Sequence, residues 1–183
     1  MEAARSFRKI FPTVGNLILD TLLLGKYEKI KIRKDLVFNT TGRECKVAYI
    51  IGADLMCRMA DIKQYGAFNP GFFMYYEEIE LCHRITRAGY SIMNVPGAKI
   101  QHLEGKSGVI GERHATIHYN SADTYRKLTL TPVKYRLYRR ILPLIIMSRI
   151  FLGKLSGRKN TVTFWETWKK LYDKSPETTD TNS

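Results

Sequence analysis

Apolar positions along the chain change period several times, and each change predicts an element. Residues 16–24 predict a short helix that Gly25 ends. Residues 46–51, KVAYII, predict a buried strand that Gly52 punctuates. Over residues 54–65, Leu55, Met56, Met59 and Ile62 recur at helical spacing, with Gly66 in the usual capping place. Residues 68–76, FNPGFFMYY, form an aromatic loop, and residues 77–88 a second helix closed by Gly89. A strand at 90–95, a turn at Pro96-Gly97 and a strand at 98–102 follow. From about residue 121 the pattern is helical, basic and amphipathic. Residues 133–155 predict a pair of helices broken near Pro143. Residues 175–183 are polar and are expected to be a disordered tail.

Strand, helix, loop, helix, strand is an α/β order. It is incomplete: there is no glycine-rich phosphate loop and no internal repeat. The pattern divides the chain at residues 1–120, 121–174 and 175–183 and reads as the second half of a larger fold.

Composition narrows the class. With 44% hydrophobic and 26% charged residues in 183, the chain suits one folded core with a tail. Cys45, Cys57 and Cys82 are odd in number and form no C-x-x-C pair, which argues against a disulfide scaffold or a cysteine zinc site and for a reducing compartment. The longest apolar run is 141–147, and counting on through Ser148 and Arg149 to Leu152 gives only ~12 residues against the ~20 of a spanning helix. Asp20 interrupts the N-terminal apolar run, so a signal peptide is not expected. Net charge is +13, and no acid occurs between Asp123 and Glu166. Ten cations fill that gap: Arg126, Lys127, Lys134, Arg136, Arg139, Arg140, Arg149, Lys154, Arg158 and Lys159. Such a block suits an anionic membrane surface or nucleic acid. The tyrosines are not arranged as a base-stacking module, which makes nucleic acid the weaker choice.

Candidate chemistry concentrates in residues 66–84, GAFNPGFFMYYEEIELCHR. The aromatic loop delivers Glu77 and Glu78 to a helix start. Neighbours on a helix point ~100° apart, so one can face a site while the other answers the helix N-terminus. Glu80 and Arg84 stand at ion-pair spacing. Spacing alone allows a plainer reading, acids that complement the helix dipole and a solitary His102 at a strand end.

The whole string says more. Tyr49, Gly52 and Ala53 are followed by Gly66, Phe68, Asn69, Phe72, Phe73, Tyr75, Glu77, Glu78, Glu80, Leu81 and Arg84. Gly89, Tyr90, Val95 and Pro96 come next, then His102, Gly105 and Ser107. At these spacings, residues 47–107 resemble the C-terminal half of the catalytic domain of family 2 glycosyltransferases, the inverting GT-A group, and within it rhamnosyltransferase-like members of cell-surface polysaccharide synthesis. The resemblance implies a partial GT-A (nucleotide-diphospho-sugar transferase) fold lacking its N-terminal nucleotide-binding half, followed by a basic helical tail. It implies that Glu78, second of the acid pair, is the general base, beside Glu77. It implies that His102 completes a divalent metal site for Mg or Mn, once the missing half is supplied. Gly52 and Ala53 would lie beside the acceptor, Tyr75 and Tyr76 would offer sugar-stacking faces, and Lys106 and Arg113 would meet the donor diphosphate. Glu78, Asn69 and Glu80 stand where the family usually has aspartate. No D-x-D motif occurs in the chain. A fragment, a truncated frame or one of two separately encoded parts is therefore expected, and another chain would supply the nucleotide site. The implied substrates are a nucleotide-sugar and a saccharide or lipid-linked acceptor, on the inner face of the cell membrane. The competing expectation is a non-catalytic module that binds a partner chain or a membrane.

Overall fold

The computed structural model describes residues 7–22, 39, 41–100 and 111–175. It falls into two units, Met1–Lys106 and Ser107–Ser183. Among the described residues the chain is mostly helical, with two small sheets.

The first unit opens with strand β1 (Phe7–Arg8) and helix α1 (Val14–Leu22). Thr13 starts α1, its hydroxyl accepting the Asn16 N–H at 3.1 Å. The helix thus begins two residues earlier than its apolar spacing predicts. The run expected as one strand is two, β2 (Cys45–Val47) and β3 (Tyr49–Ile50), parted by a bend at Ala48. The bend exchanges partners. β3 pairs antiparallel with β1, placing Phe7 opposite Ile50. β2 pairs antiparallel with β4 (Ile92–Asn94), placing Val47 opposite Ile92. Ala48 is buried and donates its N–H to the Arg8 carbonyl at 2.8 Å, so the switch leaves no orphan donor there. Residues 98–100, expected as strand, are irregular after the turn that joins the Ala98 N–H to the Val95 carbonyl.

The helix expected over 54–65 is shorter. A single 3₁₀ turn covers Gly52–Asp54, and α2 occupies only Met59–Tyr65. Its start signal is Arg58, whose guanidinium grips the first-turn Asp61 carboxylate at 2.8 and 2.9 Å. The expected apolar face does not pack: Met56 is 93% exposed. Helix α3 (Glu77–Arg87) matches its predicted span closely. Ile79, Leu81, Cys82 and Ile85 are buried along one side, and Phe7, Val47, Phe72 and Tyr76 are buried in the same unit. Three acids occupy its first turn and Arg84 and Arg87 its last, the arrangement the helix dipole favours. Gly66 and Gly89 follow α2 and α3 with φ of +84° and +93°, values that L side chains resist.

The second unit is three helices: α4 (Gly111–Thr129), α5 (Pro132–Leu155) and α6 (Lys159–Asp173). Among the described residues, helical structure is already present at Gly111, ten residues before the obvious apolar pattern. The buried face there is built of Ala115, Tyr119 and Ala122, whose spacing is helical but whose hydrophobicity is weak. α6 packs on both other helices. Trp168 lies among Tyr119, His118 and Phe164, with ring centroids 5.2–5.8 Å away. Burial pushes the His118 imidazole down to about 4, helped by His114 and Arg126. Gly153 lets α5 close on α6, because a Cβ there would come within 2.9 Å of Val162 Cγ2.

The expected break at Pro143 does not occur: α5 runs through it. Proline at 143 cannot donate to the Arg139 carbonyl, four residues back. Tyr172 of α6 fills the gap, donating its hydroxyl to that carbonyl at 3.0 Å. Packing therefore supplies the hydrogen bond that the helix lacks. Tyr172→Phe should cost about 1–3 kcal/mol, the penalty of an orphaned buried carbonyl. Restoring the backbone donor with Pro143→Ala should remove most of that cost. Urea denaturation of the two single variants and the double variant measures it; additive effects would refute the pairing.

Two of the ten cations are buried inside this unit. Arg126 is buried, donating to the Ala122 carbonyl at 2.9 Å with its guanidinium 4.8 Å from the Tyr138 ring. Arg139 is buried too, donating to Tyr119 Oη at 2.9 Å and to Ser175 Oγ, 3.7 Å from Asp123 and stacked over Tyr172. Ser175 is thereby fixed at the end of the described chain. No described helix is long and apolar enough to cross a membrane.

Candidate active site

The acid pair is presented by an unusual piece of backbone. Tyr75 and Tyr76 both adopt positive φ, 67° and 69°, and no other described residue except glycine does so. Bulky side chains avoid this region, and two in succession mark a segment held by its surroundings. Several contacts do the holding. Phe72 and Tyr76 are anchored in the core. Asn69 closes the preceding turn, its Oδ1 accepting the Gly71 N–H at 2.9 Å while its carbonyl accepts the Phe72 N–H at 3.1 Å. An amide oxygen serves this turn as well as a carboxylate would, which explains why asparagine is acceptable at 69. The Tyr76 carbonyl accepts the Glu80 N–H at 2.8 Å, the first turn of α3.

Arg84 ties α2 to α3. Its guanidinium binds the Glu80 carboxylate at 3.0 and 2.9 Å and donates to three successive carbonyls: Tyr65, Gly66 at 3.2 Å and Ala67 at 2.8 Å. A Cβ on Gly66 would approach Arg84 Nη1 to 3.0 Å. Glu80 and Arg84 are thus a mechanical pair.

Glu77 and Glu78 are both half-buried, and each has its Oε2 shut off from solvent with no hydrogen-bond partner. A buried carboxylate oxygen without a donor is costly when ionised, so its surroundings favour the protonated form. Burial pushes the Glu78 carboxyl up to about 7. The nearby Glu77 charge adds to the rise, while the backbone N–H groups of Glu78 and Ile79 oppose it. The helix N-terminus therefore acts on the second acid of the pair. Gly52 stands beside Glu78: a Cβ there would lie 3.8 Å from Glu78 Cβ. Gly52 and Ala53 are exposed, so the acid has an open margin on that side.

The other expected residues separate. Tyr75 is half-buried, and burial with the Glu77 charge pushes its phenol up. Tyr76 is a core residue, which corrects its expected use as a stacking face. Phe73, on the same loop and 74% exposed, presents the accessible aromatic ring instead. Phe72 and Tyr76 turn inward and Phe73 outward, a division that the uniformly apolar and aromatic run FFMYY does not signal. Cys82, one turn after Glu78, was missed as well. It is buried, and desolvation pushes its thiol up to about 11, so it stays neutral beside the acid. Arg113 is exposed on α4 in the second unit. His102 and Lys106 lie outside the described residues. Among the described residues no three of His, Cys, Asp or Glu gather to hold a metal. The described residues alone do not form a metal site.

Residues over half of this chain are 34% identical, across 91 positions, to the rhamnosyltransferase WbbL of Escherichia coli (strain K12). This stretch resembles rhamnosyltransferases. A second relative, the N-acetylglucosaminyl-diphospho-decaprenol L-rhamnosyltransferase of Mycobacterium tuberculosis, is 32% identical over 79 residues, 43% of this chain. The aligned stretches span only 32% and 26% of those relatives' lengths. No family model and no solved structure matches the chain.

Proposed function

We propose that this chain is the acceptor-side part of an inverting glycosyltransferase of GT-A type. It would act in cell-surface polysaccharide synthesis at the inner face of the cell membrane. The observation that carries the reading is Glu78: a carboxylate with one oxygen buried and open, poised near neutrality, in a chain half of which is similar in sequence to a rhamnosyltransferase. In the step, an acceptor hydroxyl gives its proton to Glu78 as its oxygen bonds to the anomeric carbon. The bond from that carbon to the diphosphate oxygen breaks on the opposite side, inverting the centre. Gly52 and Ala53 leave room for the acceptor beside the base, and Phe73 or Tyr75 offers a ring to a sugar face. Lys106 and Arg113 are proposed for the diphosphate. His102 and acids from the nucleotide-binding half would hold Mg or Mn, which offsets leaving-group charge when bound.

The relatives' names make rhamnose the first donor to try and a lipid diphosphate-linked saccharide the first acceptor. The test is transfer of labelled sugar by a polypeptide that includes the nucleotide-binding half. No transfer under those conditions would leave the chain as a binding module.

A base near 7 gives the reaction a pH signature. The rate should rise with pH through about 7 and level off above it, because only ionised Glu78 accepts a proton. Glu77→Gln removes the neighbouring charge and should move the midpoint toward acid, yet not to the ordinary value near 4.5, since burial is the larger cause. A kcat/KM profile of both proteins checks this, and an unmoved midpoint would refute the coupling.

A further inference from the structure

Helix α5 has two faces of opposite fate. Tyr138, Leu142, Ile145, Ile146 and Ile150 are buried on one. Val133, Leu137, Leu144, Met147, Phe151 and Leu155 are 52–72% exposed. At ~100° per residue these six fall within an arc of about 80°, directly opposite the buried side. The stripe runs the length of the helix, about 33 Å at ~1.5 Å per residue. An apolar stripe of this length open to water marks a surface that something covers. Its charges say what. Arg140 lies within the arc and Arg136 at its margin, both exposed, and no acid occurs in the helix. Lys154 sits at the same margin, 3.6 Å from Glu166. A second copy laid face to face would oppose arginine to arginine. An acyl layer beneath anionic headgroups satisfies both the stripe and its cations.

We propose that this face of α5 seats the chain in the interface of a bilayer containing anionic lipid, with the helix axis in the membrane plane. Leu144, Met147 and Phe151 enter the acyl boundary, and Arg136 and Arg140 meet lipid phosphates. The helix lies on the membrane and does not cross it. This deepens the membrane location proposed above and rests on that location, not on the sugar chemistry.

The test is co-sedimentation of the full 183-residue chain with vesicles of phosphatidylcholine, with or without phosphatidylglycerol. The expected result is binding at least about tenfold tighter with phosphatidylglycerol, weakened by salt. Leu144→Asp with Phe151→Asp should reduce it about tenfold or more at an unchanged circular dichroism spectrum, since both side chains already face water. Arg136→Glu with Arg140→Glu should sharply reduce the preference for anionic vesicles and keep the weak binding to neutral ones. Binding that ignores the Leu144/Phe151 pair would overturn this face while leaving the membrane location intact. No binding to either vesicle would remove both. A Leu144/Phe151 variant that turns a dimer into a monomer, with no effect on lipid, would assign the face to a second copy.

Discussion

Glu78→Gln should lower sugar transfer by about 10²–10⁴-fold, the usual worth of a general base. Glutamine keeps the shape of the side chain and cannot take the proton. Loss of activity by misfolding would look the same in a single assay, so stability must be read beside the rate. The sign is fixed by the direction of the shift. Burial raises the folded carboxyl from 4.5 to about 7. Stability linked to this group is therefore complete below about 4.5 and is lost as pH rises through about 7. At pH 8 the glutamine variant should be more stable than the parent, on the order of 3 kcal/mol; near pH 4 the two should match. An inactive but stabilised variant would identify a group kept for chemistry at a structural cost. Glu78→Asp is the informative companion. It places at 78 the residue usual in the resembling family and shortens the reach by about 1 Å, so it should retain part of the rate. A glutamine variant at the parent rate would remove Glu78 from the mechanism.

Arg139→Met should destabilise the helical unit by about 3–5 kcal/mol, the largest stability effect we expect. The methionine keeps much of the apolar stem. It abandons Asp123, the Tyr119 hydroxyl and Ser175, and removes the cation from the Tyr172 ring. These partners come from α4, α6 and the second residue past the end of α6, so one guanidinium joins all three helices. Arg139→Lys retains charge without the planar fork and should recover less than half of the loss. Urea midpoints decide it, and a loss below about 1 kcal/mol for methionine would show that the partners re-pair locally.

What could be read from the sequence was set by how local the cause is. Helix α3 was legible because apolar spacing and first-turn acids lie within it and Gly89 just beyond its end. The acid pair was legible for the same reason, and its neighbour Gly52 came through the family spacing. The bend at Ala48 was not, because it depends on β1 and β4, some forty residues away on either side. Pro143 misled for a similar reason: its repair is a tyrosine on another helix. The separate fates of Phe73 and Tyr76 depend on two consecutive left-handed residues, and no local rule places tyrosine there. The basic block was legible as a charge excess. Only packing shows that Arg126 and Arg139 are consumed inside it.

The grip of Arg84 on residues 65–67 has a further meaning. It holds main-chain oxygens, so it is indifferent to which side chains stand at 65 and 67 and constrains only the absence of one at 66. The far end of the same segment is fixed by Tyr76 in the core. The loop between behaves as a ruler of set length. Its letters can drift, but adding or deleting one residue would pull either Tyr76 out of the core or residues 65–67 off Arg84, and with either anchor goes the placing of Glu78.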